Sequence, residues 1–379
     1  MRRPTGKNVA LGAILLVNFL FACKYTERAT PYFLSASLLY TILLWAIFAF
    51  ALKNRVVAGS GKLIAAALLA LFCIGAFYAL HIVGFETLRV DRWSVIASFW
   101  QNYFNGEYVY FAVSHMNNHP GPMPFYFILA LPFYLLGDLG YFSLCGIVVF
   151  YFMLRRFASR NYIVPAFLLV AASSGYVWEI VCRSNIFLNA ALILLSLILL
   201  LETAEKRLKI PIFVHGVIIG LLLSTRNVFV IPYIIVIVYL WRRNQLTFLQ
   251  LLKLGSVSFT AFALTFVPFV VGHAAEFMQV NPFVIQSEAL MPLPMSLGCI
   301  MASVAIPFFL KDRDDVILWS GLALLLTIIA YFTYQAITKS WQNAFFGSAA
   351  DISYLLLCVP FFIFYIARPS GLEDGGNRK

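Results

Sequence analysis

Residues 85–126 read FETLRVDRWSVIASFWQNYFNGEYVYFAVSHMNNHPGPMPFY, the longest run of this chain that is not simply apolar. Asp91 and Arg92 stand side by side in it, Glu107 follows a glycine, and His115 and His119 lie four residues apart before a His-Pro-Gly-Pro-Met-Pro run that ends at Pro124. Carboxylates, guanidinium groups and imidazoles gathered in one segment suit proton transfer and anion binding. In a membrane protein such groups are costly enough to mark a functional region. The two histidines have the spacing of paired metal ligands on one helical face, but Asn117, Asn118 and Pro120 beside them argue against a helix there.

Everything around this segment is greasy. Of 379 residues, 62% are hydrophobic, 17% aromatic and only 11% charged, with a mean hydropathy of +0.88. A soluble globule carries about 25% charged residues, so the composition predicts an all-α polytopic membrane protein. Cys23, Cys73, Cys145, Cys182, Cys299 and Cys358 lie singly in or beside apolar runs, which fits packing and implies neither a metal site nor a disulfide framework. The net charge of +11 is split among short clusters between apolar runs. Such clusters orient a chain in the bilayer and do not point to nucleic acid.

Arg2, Arg3 and Lys7 precede an apolar run at 9–22 with no small-residue cleavage site after it, so an uncleaved first span with a cytoplasmic N-terminus is expected. A second run at 32–52 leads to a basic loop at 53–62, containing Lys53, Arg55 and Lys62, and a third at 63–84 delivers residues 85–123 to the outer side. Clusters at 202–209, 241–244, 311–315 and from Arg368 read as cytoplasmic, and 183–185, 225–227, 273–291 and 339–353 as outward. Between Pro124 and Arg183, runs at 125–136, 141–154 and 163–180 occupy a stretch that needs an even number of crossings. The first two are short for a hydrocarbon core that takes about 20 helical residues. One of them is therefore expected to be partial or re-entrant, within a total of 11–13 hydrophobic helices.

Trp93, Ile96, Trp100, Tyr103 and Phe104 fall on one helical stripe, with Ser94, Ser98, Gln101 and Asn102 on other faces. This pattern fits an amphipathic helix lying in the membrane interface, with Asp91 at the water–lipid boundary. It fits an ordinary extramembrane helix equally well. In either case Asp91 is also a candidate N-cap.

The order Asp91-Arg92-Trp93, Gly106-Glu107-Tyr108, then His119-Pro120-Gly121-Pro122 leading through Pro124-Phe125-Tyr126 into an apolar run resembles the first outer loop of the GT-C glycosyltransferases. Those enzymes include the protein O-mannosyltransferases and the lipid A aminoarabinose transferases. Gly220-Leu221-Leu222-Leu223-Ser224-Thr225-Arg226 is similar to their Gly-Leu-x-x-Leu-Thr-Lys run, and Arg183-Ser184-Asn185 falls where they carry an outward Arg. The resemblance spans 63–241, leaving 1–62 as two helices that look like an addition, 242–367 as C-terminal helices and 368–379 as a cytoplasmic tail. Arg92 stands where many members have a second acid, and no Asp follows Arg183. No cofactor is expected, and dependence on a divalent metal stays open.

What the resemblance implies is a GT-C-like bundle on the outer face of a membrane, a bacterial inner membrane by its short loops. It would transfer a sugar, with inversion, from a polyprenyl-phosphate donor to a hydroxyl of a glycan, lipid or protein acceptor. Asp91 would be the general base. Arg226, and after it Arg183, would hold the leaving phosphate with planar guanidinium groups. Arg92, Glu107, His115, His119 and Glu179 would be further substrate contacts. Plainer readings stand beside these: the arginines can snorkel to headgroups, and Glu107 can be a solvated loop acid. A polysaccharide polymerase or ligase would use similar outward arginines, usually with a larger late loop. A transporter or flippase would show mid-span charges or paired interrupted helices, and no convincing internal repeat is present. No Gly-rich nucleotide loop occurs on the cytoplasmic side, which favours a lipid-linked donor.

Overall fold

The computed structural model describes residues 3–53, 61–88, 90–289 and 291–368. Arg55 and residues 369–379, which the charge pattern assigns to the cytoplasm, lie outside them. Among the described residues the chain is helical with no strand.

Three long helices come first, α1 (Arg3–Thr26), α2 (Phe33–Lys53) and α3 (Gly61–Ile82), followed by the outer-loop helix α4 (Arg92–Phe104) and by α5 (Pro124–Leu135). Next are α6 (Gly140–Phe157), the pair α7 (Ile163–Ala171) and α8 (Ser174–Val181), α9 (Ile186–Ala204), α10 (Ile212–Leu223), α11 (Val230–Arg242) and α12 (Phe248–Leu264). Short helices α13 (Val267–Val270), α14 (Ala274–Gln279) and α15 (Pro282–Ala289) lead to α16 (Leu293–Ala305), α17 (Arg313–Lys339), α18 (Trp341–Phe345) and α19 (Val359–Ala367). Among the described residues seven helices are long and apolar enough to cross a membrane, α7 and α8, bent by 56°, add an eighth if the pair is one span, and five apolar helices of 10–17 residues accompany them. The chain is an all-α polytopic membrane protein, with its apolar helices at the upper end of the expected range.

Burial separates the centre from the lipid-facing rim. The apolar window of α9 is 78% buried, against 17% for α2 and 11% for α3, so α9 is the axis and α2 and α3 form the perimeter. Every residue of α19 is buried as well, which places this helix in the core. Helices α10 and α12 approach closely through Gly216 and Gly220. A Cβ on Gly220 would stand 2.2 Å from the Ser258 carbonyl oxygen, so only glycine fits.

The ambiguous stretch between Pro124 and Arg183 resolves at α5. Its start is tied to the α10–α11 turn, where Met123 N–H donates to the Thr225 carbonyl (3.2 Å). Just past its end, Asp138 pairs with Arg183, whose Nη2 also donates to the Leu80 carbonyl (2.8 Å) at the end of α3. Both ends of α5 thus sit at one end of the bundle, called here the site end. Helix α6 is long and apolar enough to cross a membrane and the bent α7–α8 pair passes the same test together, whereas α5, with 12 residues, is short for a crossing.

The break between α7 and α8 leaves backbone groups unpaired inside the bundle, and the first two helices satisfy them. Tyr40 Oη accepts the Ser174 N–H (2.7 Å) and donates to the Ala172 carbonyl (2.7 Å), while Ser173 Oγ donates to Asn18 Oδ1 (2.9 Å). Helices α1 and α2 are bound into the fold through this network. Tyr40→Phe should orphan the Ser174 amide and cost about 1–3 kcal/mol, readable as earlier unfolding in detergent micelles. An unchanged unfolding midpoint would mean that the break needs no help from α2.

Candidate functional site

Asp91 immediately precedes α4, yet its carboxylate makes no capping bond to that helix. Instead Oδ2 accepts from Ser114 Oγ (3.0 Å) and Asn118 Nδ2 (2.7 Å), and Oδ1 has no hydrogen-bond partner among the described residues. The donors are set by a tight turn: Ser114 Oγ accepts the Met116 and Asn118 amides, and Asn117 adopts φ 60°, a conformation Asn tolerates better than most residues. The amide-rich sequence at 114–118 therefore builds a clamp that fixes one carboxylate oxygen and leaves the other open.

Helix α4 is amphipathic, and its buried face is Ile96, Phe99 and Trp100. Phe99 stacks on Phe127 of α5 at 3.7 Å, and Trp100 Nε1 donates to the Phe127 carbonyl. Tyr103 and Phe104 stay exposed at its C-terminal end. The tryptophan stripe thus meets protein, and only the last turn presents aromatic rings outward.

Arg92 reaches across to the segment before α19. Its Nη2 pairs with Asp351 Oδ2 and donates to Ser353 Oγ (3.2 Å), and its guanidinium lies 5.9 Å from the Tyr354 ring centre. Burial acts to lower its pKa, but Tyr354, Tyr126 and the Asp91 carboxylate together hold it above the usual arginine value. Arg226 approaches the same tyrosine from the α10–α11 turn, 5.5 Å from the Tyr354 ring and 5.4 Å from that of Tyr126. It is only 9% exposed, and neither its Nε nor its Nη2 has a hydrogen-bond partner. No carboxylate forms an ion pair with it among the described residues. Two guanidinium groups therefore converge on Tyr354, one paired with an acid and the other with donors to spare.

Arg183 is engaged elsewhere. Its Nε and Nη2 hold both oxygens of Asp138 (3.2 and 3.1 Å), Nη1 donates to Val181 and Nη2 to Leu80. With φ 54° and 1% exposure, it is a corner brace whose donors are committed to the protein, and the phosphate role implied by the resemblance does not suit it. Its acid partner lies upstream, at the α5–α6 turn.

Glu179 is also committed. Fully buried in α8, it accepts from the Phe187 amide (3.0 Å) and Ser184 Oγ (3.2 Å), capping the start of α9, where a carboxylate is favoured by the helix dipole. Glu107 is exposed and its side chain has no hydrogen-bond or ion-pair partner among the described residues, as for a solvated loop acid. His115 Nδ1 pairs with Ser94 Oγ (2.6 Å) and its ring stacks on Trp93, whereas His119 Nδ1 pairs with the Ala112 carbonyl (3.1 Å). The two imidazoles belong to a loop and turn to different partners. Among the described residues no three His, Cys, Asp or Glu side chains gather where a metal ion would fit.

Beside this cluster an apolar groove of about 480 Å³ runs between α5, α10 and α12, lined by Phe125, Ile128, Val217, Leu221, Ala261 and Thr265 among others. It ends where Thr265 Oγ1 meets Ser224 Oγ (2.6 Å). That same serine receives the Phe125 amide (3.3 Å), so the groove stops beside Tyr126 and the turn that carries Arg226.

Sequence reasoning gave no role to Asp138, Tyr126, Asp351 or Tyr354. The polar break Asp351-Ile-Ser-Tyr354 between apolar runs, on the side expected to face outward, is the signal that would have drawn attention to the last two. Comparison with protein-family models, curated proteins and solved structures returned no match.

Proposed function

We propose that this protein is a membrane glycosyltransferase that moves a sugar from a polyprenyl-phosphate carrier to an acceptor hydroxyl at the site end of the bundle. The observation that carries the reading is the clamped Asp91 carboxylate, next in the chain to Arg92, whose guanidinium shares Tyr354 with a buried arginine that has unused donors. Asp91 Oδ1 takes the proton of the acceptor hydroxyl as its oxygen attacks the anomeric carbon. The bond from that carbon to the phosphate oxygen breaks on the opposite side, with inversion, and the lipid phosphate leaves with one further negative charge. Arg226 meets that charge where it develops, in surroundings of low dielectric. The groove between α5, α10 and α12 holds the start of the carrier chain, so the donor enters from the side.

Orientation follows from charge. Arg155, Arg156, Arg242, Arg243, Arg313 and Arg368 all lie at helix ends opposite the site, which supports a cytoplasmic position for that end and an outer-face position for the site. The short connections there suit a bacterial inner membrane. The test is turnover in proteoliposomes with radiolabelled sugars on short-chain polyprenyl phosphates, offered with membrane glycans, lipids and proteins. Transfer from such a donor is expected. Turnover with a nucleotide sugar alone, or with no prenyl-linked donor at all, would overturn the reading.

A further inference from the structure

The ion pair between Arg92 and Asp351 is set in a particular place. Arg92 shares Tyr354 with Arg226, and Arg226 is the buried cation whose Nε and Nη2 are unpartnered. Asp351 therefore neutralises one of two guanidinium groups that face a common tyrosine while the other has no counter-ion among the described residues. Its hold is one that can be released: the Asp351 side chain is 31% exposed, and its Oδ1 is independently occupied in accepting the Ser353 amide (2.9 Å). A carboxylate that turns from Arg92 toward water keeps its place in the chain.

We propose that Arg226, Arg92 and Tyr354 form a binding site for the monophosphate group of a lipid, and that Asp351 is the internal anion this phosphate displaces from Arg92. Arg226 supplies its two free donors, Tyr354 its hydroxyl, and Arg92 a second guanidinium once Asp351 lets go. The neighbouring apolar groove, which ends at the turn bearing Arg226, selects a lipid phosphate over a free one. One unpaired and one exchangeable guanidinium match a single phosphate better than a diphosphate, which brings more charge than two such groups meet. The proposal rests on the reading above for the sugar the lipid carries, and on this geometry alone for the anion.

The experiment is a binding titration on the full-length protein in nanodiscs, with farnesyl phosphate, farnesyl diphosphate and inorganic phosphate as probes. It needs no turnover, so failed binding and failed sugar transfer are separate results. Wild type is expected to prefer farnesyl phosphate over both other probes. Asp351→Asn should bind it about tenfold more tightly, because the competing internal anion is gone and the competent state no longer has to be released first. Arg226→Met should lose binding. Unchanged or weaker binding by folded Asp351→Asn would overturn the exchange, and equal affinity for inorganic phosphate would overturn the lipid as the ligand's source. A structure of the wild type with farnesyl phosphate decides the matter without any variant. Phosphate oxygens between Arg226 and Arg92, with Asp351 turned away, support the proposal; Asp351 still on Arg92 beside the bound lipid refutes it.

Discussion

Asp91→Asn is expected to lower sugar transfer by about 10²–10⁴-fold, the usual contribution of a positioned general base, while leaving the fold and donor affinity close to wild type. The amide is isosteric, and its oxygen still accepts from Ser114 and Asn118, so the clamp survives. Two hydrogen bonds to a charged acceptor become bonds to a neutral one, which on a partly exposed group costs about 1 kcal/mol. The loss should appear in kcat with the donor KM nearly unchanged, because the proton is transferred only in the transition state. Asp91→Glu tests position rather than chemistry, since it keeps the base and moves it by a methylene. Turnover retained by Asp91→Asn would remove Asp91 from the base role, whatever its place beside the arginines.

The class of fold was legible because composition and run length report directly on solvent: a chain this apolar has to be helical in lipid. The helix at 92–104 was legible from its period. Its surroundings were not, since a stripe of Trp93, Ile96 and Trp100 packs as well against Phe127 as against acyl chains. Which of two short apolar runs crosses the bilayer depends on where their ends are tied. For α5 the end is tied by Asp138 reaching Arg183, a contact 45 residues apart in the chain. Arg183 and Arg226 look equivalent in sequence, each following or preceding an apolar run on the same expected side. Only packing separates them, because it gives one a bidentate acid and the other two aromatic rings. The contribution of the last segment was hidden for the same reason, with Arg92 and Ser353 joined across 261 residues.

That separation makes a prediction in which two similar substitutions change stability in opposite directions. Arg183→Met removes one member of a buried pair and four hydrogen bonds, leaving Asp138 with its charge and little to hold it. The expected loss is about 3 kcal/mol, toward the lower end for a broken buried pair, because Asp138 is 19% exposed and partly solvated. Arg226→Met acts on a cation that is buried without a counter-ion. Methionine fills similar space at no desolvation cost, and although two cation–π contacts of about 1 kcal/mol each are lost, the relief of an unpaired buried charge outweighs them. Stability should rise by about 1 kcal/mol or more, measured as a later unfolding midpoint in micelles. Donor binding should follow the opposite order: Arg226→Met loses about 10–100-fold through its charge-assisted bonds, whereas Arg183→Met, at a temperature where it is folded, keeps its donor affinity. A protein that becomes more stable as it loses its ligand has a residue kept for binding. If Arg226→Met instead unfolds as readily as Arg183→Met, Arg226 is a brace like its counterpart, and the phosphate has to be sought on other side chains.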